Sequence, residues 1–248
     1  MTNQEFIELI HSSKMDLLWN KLANGVTKYF RTRVVGSYNI PLKGPGIIAA
    51  NHSGFCGFDV VVLSHVIREA SERQAKILAH AAYFDFSKLL RMVSESFGMR
   101  KASIDNGTDV LHQGELLLVF PEAEEGNFKS SRQMYDLQTF RTGFIRMAIK
   151  TRSPIIPALV IGAEESHFNL GSVDLSAYMK NLRLPLPVNI LPLPAKWQIK
   201  FLKPFSMRKY KIEDADNQKL VTEIAGTIQA RMQVELLKLA KARKTIYV

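Results

Sequence analysis

A single cysteine, Cys56, among 248 residues leaves no possibility of an intramolecular disulfide framework. Stability must therefore come from buried apolar surface, and 46% hydrophobic residues are ample for one sizeable domain. The thiol lies near His52, but its neighbours Phe55 and Phe58 assign it to packing rather than to nucleophilic chemistry. The opening Met1-Thr2-Asn3-Gln4-Glu5 lacks a cationic leader with an apolar segment behind it, so no secretory signal is expected. No apolar run approaches the roughly 20 residues needed to span a bilayer. His11, His65, His80, His112 and His167 show no metal-ligand spacing. Zinc-finger spacing, aromatic-laced basic arrays, internal repeats and low-complexity tracts are missing too, which excludes the common nucleic-acid modules. A Gly-x-Ser-x-Gly nucleophile elbow does not occur around Ser53 either.

What the chain has is positive charge, +10 at pH 7 with a pI near 9.7. Such an excess calls for an anionic partner, either an acidic membrane surface or a phosphorylated cofactor once nucleic acid is set aside. From Asn3 to Phe30 apolar residues recur at helical spacing and predict two amphipathic helices. Trp19, Tyr29 and Phe30 beside Lys21, Lys28, Arg31 and Arg33 suit a helix lying in a membrane interface, and equally a helical hairpin packed on its own domain. The expected organisation is an N-terminal helical hairpin over residues 1–30 and one domain over 31–248. The expected location is cytoplasmic, peripheral on the inner face of a membrane.

Beyond residue 30 strand and helix patterns alternate. Strands are predicted at Ile47–Ala50, Ala75–Ala79, Leu116–Phe120 and Ile155–Ile161, with a return to the sheet at Lys196–Phe201. Helices are predicted at Val60–Glu69, Phe84–Ser96, Ser103–Gln113, Thr139–Thr151 and along Asn217–Ile246. This is the signature of an α/β domain with a largely parallel central sheet flanked by helices, in which ligands bind beyond the carboxyl ends of the strands.

Two strand ends carry chemistry. Ile47-Ile48-Ala49-Ala50 delivers Asn51-His52 into a loop broken by Gly54 and Gly57, with Asp59 just beyond. A histidine with an orienting carboxylate is how a general base for a hydroxyl proton is built; the plainer role for Asp59 is a helix cap. Ser53 as nucleophile beside His52 is disfavoured, because adjacent residues on an extended strand point to opposite faces. The second strand end is Phe120-Pro121-Glu122-Ala123-Glu124-Glu125, followed by Lys129. His80, at a third strand end, could line the same cleft.

Asn51-His52-Ser53-Gly54 with Asp59, then Val119-Phe120-Pro121-Glu122, then Ser153-Pro154-Ile155-Ile156-Pro157-Ala158, in this order, resemble the glycerolipid acyltransferases related to lysophosphatidic acid acyltransferase. The subgroup most similar is that of monoacylglycerol and diacylglycerol acyltransferases. The resemblance spans residues 30–205 and is supported by Gly98–Ser103, Tyr135–Phe144 and Ile161–Glu165. It implies acyl transfer from acyl-CoA or acyl carrier protein to a lipid acceptor's hydroxyl, with His52 as base, Asp59 as its partner and no metal or other cofactor. It further implies substrate-binding roles for Arg100, Lys101, Phe120, Pro121, Glu122 and Lys129. The alternative is a non-catalytic lipid- or membrane-binding protein on the same fold.

Two departures bear on the acceptor. The carboxylate lies two residues beyond its usual place, which Gly57 occupies. The usual Phe-Pro-Glu-Gly and following arginine are replaced by Ala123 and Glu125. Like charges about 4 Å apart repel by about 4 kcal/mol at an effective dielectric near 20, so Glu125 points away from a phosphate acceptor and towards a neutral lipid alcohol. Lys129 is the residue that would restore a positive contact.

Overall fold

The computed structural model describes residues 13–52, 57–174 and 183–247. The first of the two expected N-terminal helices lies outside these residues, as do Ser53, Gly54, Phe55 and Cys56. The described helices are α1 (Ser13–Tyr29), α2 (Phe58–Ser71), α3 (Ala82–Asp85), α4 (Lys88–Ser96), α5 (Ile104–His112), α6 (Ala123–Phe128), α7 (Gly143–Thr151), α8 (Ala163–Ser166) and α9 (Gln218–Ala242). The strands are β1 (Arg33–Val35), β2 (Gly46–Ala50), β3 (Lys76–Ala79), β4 (Met99–Lys101), β5 (Leu116–Val119), β6 (Ile155–Ile161), β7 (Asn169–Asp174), β8 (Arg183–Pro187) and β9 (Gln198–Phe201).

Seven strands form one sheet in the order β1-β9-β6-β2-β5-β3-β4, and β7 pairs with β8 in a separate antiparallel ribbon. Five strands of the large sheet run parallel; β9 is antiparallel to β6, and β1 follows β9. The architecture is the largely parallel α/β sheet the alternation predicts. Its central strands are apolar throughout because both faces are covered. Ile47, Ala49, Leu117, Val119, Ile155, Leu159 and Ile161 face a core shared with α5, α7 and α9. Ile48, Ala50, Leu116, Leu118, Ile156, Ala158 and Val160 face the other core, with α1 and α2. The period-two alternation of the strand sorts these residues between two layers.

Three predicted boundaries shift for identifiable reasons. The helix expected over Phe84–Ser96 divides because the Ser87 hydroxyl accepts from the Leu90 N–H at 3.1 Å and starts α4 afresh. The helix expected from Thr139 begins at Gly143, because the N–H groups before it are taken by partners outside the helix: Arg141 N–H donates to Pro121 O at 2.9 Å. Residues 123–128, read as a strand-end loop, form α6. Strands β1 and β4, three residues each, and the β7–β8 ribbon carry too little alternation to be seen in advance.

Asn51 extends the central ladder by one step past the end of β2. Its side-chain amide donates to Val160 O at 3.0 Å and accepts from Val160 N–H at 2.7 Å, in full burial. The side chain thus imitates a backbone unit and fixes where the strand stops, one residue before His52. Asn51→Ala would leave two buried backbone groups unpaired at about 1–3 kcal/mol each. We expect a clear drop in the midpoint of thermal or denaturant unfolding, larger than for alanine at an exposed polar site.

Candidate active site

His52 leaves the carboxyl end of β2, and α2 starts six residues later behind Gly57, whose φ of 68° is the left-handed conformation glycine adopts without strain. This turn brings Asp59, in the first turn of α2, back against the imidazole. Asp59 Oδ2 lies 2.6 Å from His52 Nδ1, and the carboxylate is fully buried. Asp59 is not the cap of α2; its Oδ1 accepts from the Val60 N–H at 2.9 Å. A carboxylate on Nδ1 holds the proton there and leaves Nε2 as the basic nitrogen. Burial opposes the charged imidazolium, but the Asp59 charge and hydrogen bond, aided by Glu122, outweigh it, so the His52 pKa is raised above 6.5. The ring is 17% exposed and lies on Phe120, with centroids 4.4 Å apart.

Glu122 is fully buried and touches the site through the backbone. Its Oε1 accepts from the His52 N–H at 2.9 Å and its Oε2 from the Gln138 N–H at 2.7 Å. Burial raises its pKa against the opposing influences of Lys129 and of those two N–H groups. Gly126, one turn into α6, lets the helix close over this carboxylate. A Cβ there would stand 2.7 Å from Glu122 Cβ and 3.1 Å from His52 Cβ.

The remaining predicted residues are distributed differently. Pro121 is buried, and its carbonyl takes the Arg141 N–H at 2.9 Å. The Lys129 side chain is only 4% exposed, ion-paired to Glu164 at 2.9 Å and donating to Asp136 O at 3.1 Å. Its charge is therefore committed inside the protein. Burial lifts the Glu164 pKa to about 7 despite Lys129 and the Tyr135 N–H. Arg100 and Lys101 sit on β4, at the sheet edge three strands from β2. Arg100 donates to Met99 O at 2.9 Å, and Lys101 forms an exposed ion pair with Asp85 at 2.7 Å. His80 reaches the loop beside the site and pairs with Glu124 at 2.7 Å.

Several residues gain roles that their sequence context did not disclose. Arg141 meets Glu125 at 2.8 Å, so the negative charge that argued against a phosphate is partly balanced. Gln229 and Gln233, one turn apart on α9, bind the non-helical 135–140 backbone: Gln233 accepts from the Leu137 N–H at 2.8 Å and donates to Tyr135 O at 2.8 Å, and Gln229 accepts from the Phe140 N–H at 3.3 Å. Two glutamines at i, i+4 among apolar helix positions are the only advance signal of this. A cavity of about 290 Å³, lined by Glu125, Lys129, Ser130, Gln133, Gln138 and Ser172 among others, is linked to the dyad through Gln138, whose N–H shares the Glu122 carboxylate with that of His52. Among the described residues no cluster of metal-ligating side chains could hold an ion.

A histidine–carboxylate dyad at a strand end in this fold is matched by an independent finding: the family model described as Acyltransferase aligns with residues 31–161. The chain belongs to the acyltransferase family. Among curated relatives, the uncharacterized protein Rv0502 of Mycobacterium tuberculosis (strain ATCC 25618 / H37Rv) is 33% identical over 231 residues, covering 88% of this chain and 64% of the relative. The uncharacterized protein ML2427 of Mycobacterium leprae (strain TN) is 31% identical over 231 residues, covering 88% of this chain and 63% of the relative. The chain thus spans just under two thirds of the curated relatives it matches. The crystal structure of the 1-acyl-sn-glycerophosphate (LPA) acyltransferase, PlsC, from Thermotoga maritima superposes with a TM-score of 0.62 at 15% identity, covering 98% of this chain and 90% of that one. It shows that the two share a fold.

The acyltransferase loop carries two testable points. Gly126→Ala should push Glu122 and His52 apart and lower any His52-dependent activity at least tenfold, with a smaller loss of stability. Ala123 holds φ at 51°, which costs a residue with a Cβ about 1 kcal/mol. Ala123→Gly is therefore expected to raise the unfolding midpoint, by a net gain of up to about 1 kcal/mol.

Proposed function

We propose that this acyltransferase-family chain is an O-acyltransferase that moves a fatty acyl chain from a thioester, acyl-CoA or acyl carrier protein, to the hydroxyl of a glycerolipid or related lipid alcohol. The observation that carries the proposal is the His52–Asp59 contact of 2.6 Å at the carboxyl end of β2. The acceptor oxygen attacks the thioester carbonyl carbon while His52 Nε2 takes its proton. The tetrahedral intermediate then collapses, the C–S bond breaks, and the imidazolium returns the proton to the departing thiolate. Asp59 stabilises the imidazolium between these steps. General-base assistance of this kind contributes about 10²- to 10⁴-fold.

The acceptor reading rests on the same loop. Lys129 is engaged by Glu164, and Glu125 faces the cavity with Arg141 as its partner. At the place where the family pattern carries an arginine this chain has Glu125, and the nearby Lys129 charge is taken up by Glu164. Hydroxyl and amide groups from Ser130, Gln133 and Gln138 suit a neutral glycerol headgroup, which favours mono- or diacylglycerol over lysophosphatidic acid and supports the resemblance to that subgroup. The reaction as written needs no metal or further cofactor.

The first test follows thiol release from a long-chain acyl-CoA and resolves lipid products across lysophosphatidic acid, monoacylglycerol, diacylglycerol and no acceptor. We expect release that depends on a neutral acceptor and falls at least a hundredfold in His52→Ala. Preference for lysophosphatidic acid would overturn the acceptor reading, and equal release without acceptor would mark a thioesterase. Silence with both acyl-CoA and acyl carrier protein, with lipid binding intact, would favour the non-catalytic binder.

The pH profile supplies a second test. His52 must be neutral to accept a proton, so kcat/KM should rise with pH through an apparent pKa above 6.5, the direction Asp59 imposes. In Asp59→Asn the main raising influence is gone, leaving the smaller one of Glu122, while burial remains. The acid limb should then shift to lower pH, with the plateau reduced about 10²-fold or more.

A further inference from the structure

Just past the carboxyl end of β6, α8 carries two consecutive buried glutamates, and each meets a cation from a different part of the chain. Glu164 holds Lys129; Glu165 holds Arg243, the residue that follows α9. The side chains of this second pair are only 8% and 9% exposed. The guanidinium serves three acceptors: Nη1 donates to Glu165 Oε2 and to Tyr135 Oη at 3.2 Å, and Nη2 donates to Lys196 O at 2.7 Å. The residues after it fix the segment to the same corner. Lys196 N–H donates to Ile246 O at 2.7 Å, Lys196 Nζ to Thr245 Oγ1 at 2.8 Å, and Tyr247 Oη to Glu165 O at 2.8 Å.

A buried ion pair is a poor source of net stability, because desolvation of the two charges offsets most of their attraction. Its geometric demand is strict, since a guanidinium is a rigid fork of donors. What this fork fixes is Tyr135. The phenol oxygen accepts from Arg243 and, at 3.1 Å, from the Gly162 N–H, and its own proton goes to Glu165. The Tyr135 N–H donates to Glu164 Oε2 at 2.9 Å, and its φ of 66° is a left-handed conformation that a residue with a Cβ holds only when its surroundings impose it. Tyr135 is thus a pinned turning point of the chain. Three residues on, the Gln138 N–H donates to Glu122 Oε2, and Glu122 Oε1 accepts from the His52 N–H. A second route runs along α8, where Glu164, adjacent to Glu165, holds the Lys129 whose charge acts on Glu122. Both routes from Arg243 end on the carboxylate that fixes His52.

We propose that Arg243 is a positioning residue for His52, acting through Tyr135 and Glu165 on the Glu122 carboxylate and the main chain it holds. Its partners Glu165, Tyr135 and Lys196 are neither members of the dyad nor residues that line the polar cavity. Loss of the guanidinium therefore acts on where His52 stands and not on what binds beside it. A path of contacts becomes coupling only when a change at one end moves the other, and the amides of His52 and Gln138, both bound to Glu122, report that movement directly. The inference deepens the proposed function and rests on it for the effect on turnover; the position of His52 is read without turnover.

The test is amide hydrogen exchange of the full chain, followed by NMR, for the parent, Arg243→Lys, the double variant Arg243→Met/Glu165→Met, and Lys244→Met as an exposed neighbour. The double variant removes both charges together and leaves no buried charge alone. Arg243→Lys keeps the pair with Glu165 and loses the fork, and it carries the test if the apolar pair fails to fold. We expect exchange at the His52 and Gln138 amides to be faster by about tenfold or more in both Arg243 variants, with Ile48 and Leu118 in the central strands within about twofold of the parent. Lys244→Met should match the parent at all four. Acceleration of all four amides by one factor would mark a general loss of stability and overturn the proposal, as would His52 and Gln138 amides that exchange as in the parent. Turnover of acyl-CoA with the preferred acceptor supplies the second readout: kcat should fall about tenfold or more in both variants at an acceptor KM close to the parent's, and an unchanged kcat would overturn the proposal. Faster exchange at His52 in a protein whose parent turns over no thioester would uphold the positioning role and refute the acyl-transfer reading.

Discussion

A buried carboxylate, Glu122, joins the two loops from which the candidate site is built. One oxygen holds the backbone N–H of His52 and the other that of Gln138. Burying a carboxylate is costly unless the charge is matched by donors and a counter-ion. Here two backbone N–H groups supply the first and the charge of the buried Lys129 the second. Lys129 is held in turn by Glu164, whose other oxygen takes the Tyr135 N–H at 2.9 Å. The result is a chain of charges and backbone donors from β6's end through the 135–142 segment to His52. Losing any member leaves a buried charge or donor unpaired, so geometry at the imidazole is coupled to stability of the loop.

That coupling explains an otherwise odd feature, the irregular stretch just before α7. A helix through Thr139 would satisfy its own N–H groups internally. Instead the N–H groups of Leu137, Gln138, Phe140 and Arg141 go to Gln233, Glu122, Gln229 and the Pro121 carbonyl. The long C-terminal helix α9, which buries Val221, Ile224, Ile228 and Met232 against the sheet, thus also presents polar side chains that keep this segment unwound. Tertiary partners outweigh local helix preference, which is worth only a few tenths of a kcal/mol per residue.

The same physics sets what could be read in advance. Runs such as Ile47–Ala50 and Leu116–Val119 are legible because a strand buried on both faces must be apolar at every position, and the dyad is legible because His52 and Asp59 flank a glycine-broken loop. Gln138 acts through its backbone, which carries no residue signature, and Lys129 looks like a solvated cation until Glu164, some thirty-five residues on, is seen beside it. Gly126 gives no hint of the carboxylate it covers. Short edge strands such as β4 draw their stability from the neighbour they pair with rather than from their own three residues. The first N-terminal helix and the glycine loop at Ser53–Cys56 lie outside the described residues.

The departures of the Pro121–Glu125 loop from the family pattern divide by the direction each side chain takes. Glu122, which turns inward to hold His52, keeps its identity. Glu124 and Glu125 turn outward, to His80 and to Arg141 and the polar cavity. Between them Ala123 adopts a φ suited to glycine, so the turn keeps its shape at some cost in energy although the residue has changed. A loop that had drifted free of its role would be expected to relax this strain and to give up the buried carboxylate. Under the proposed acyl-transfer reading, keeping both while altering Ala123 and the outward charges is what a change of acceptor would require: His52 stays where it is, and the surface around it becomes different.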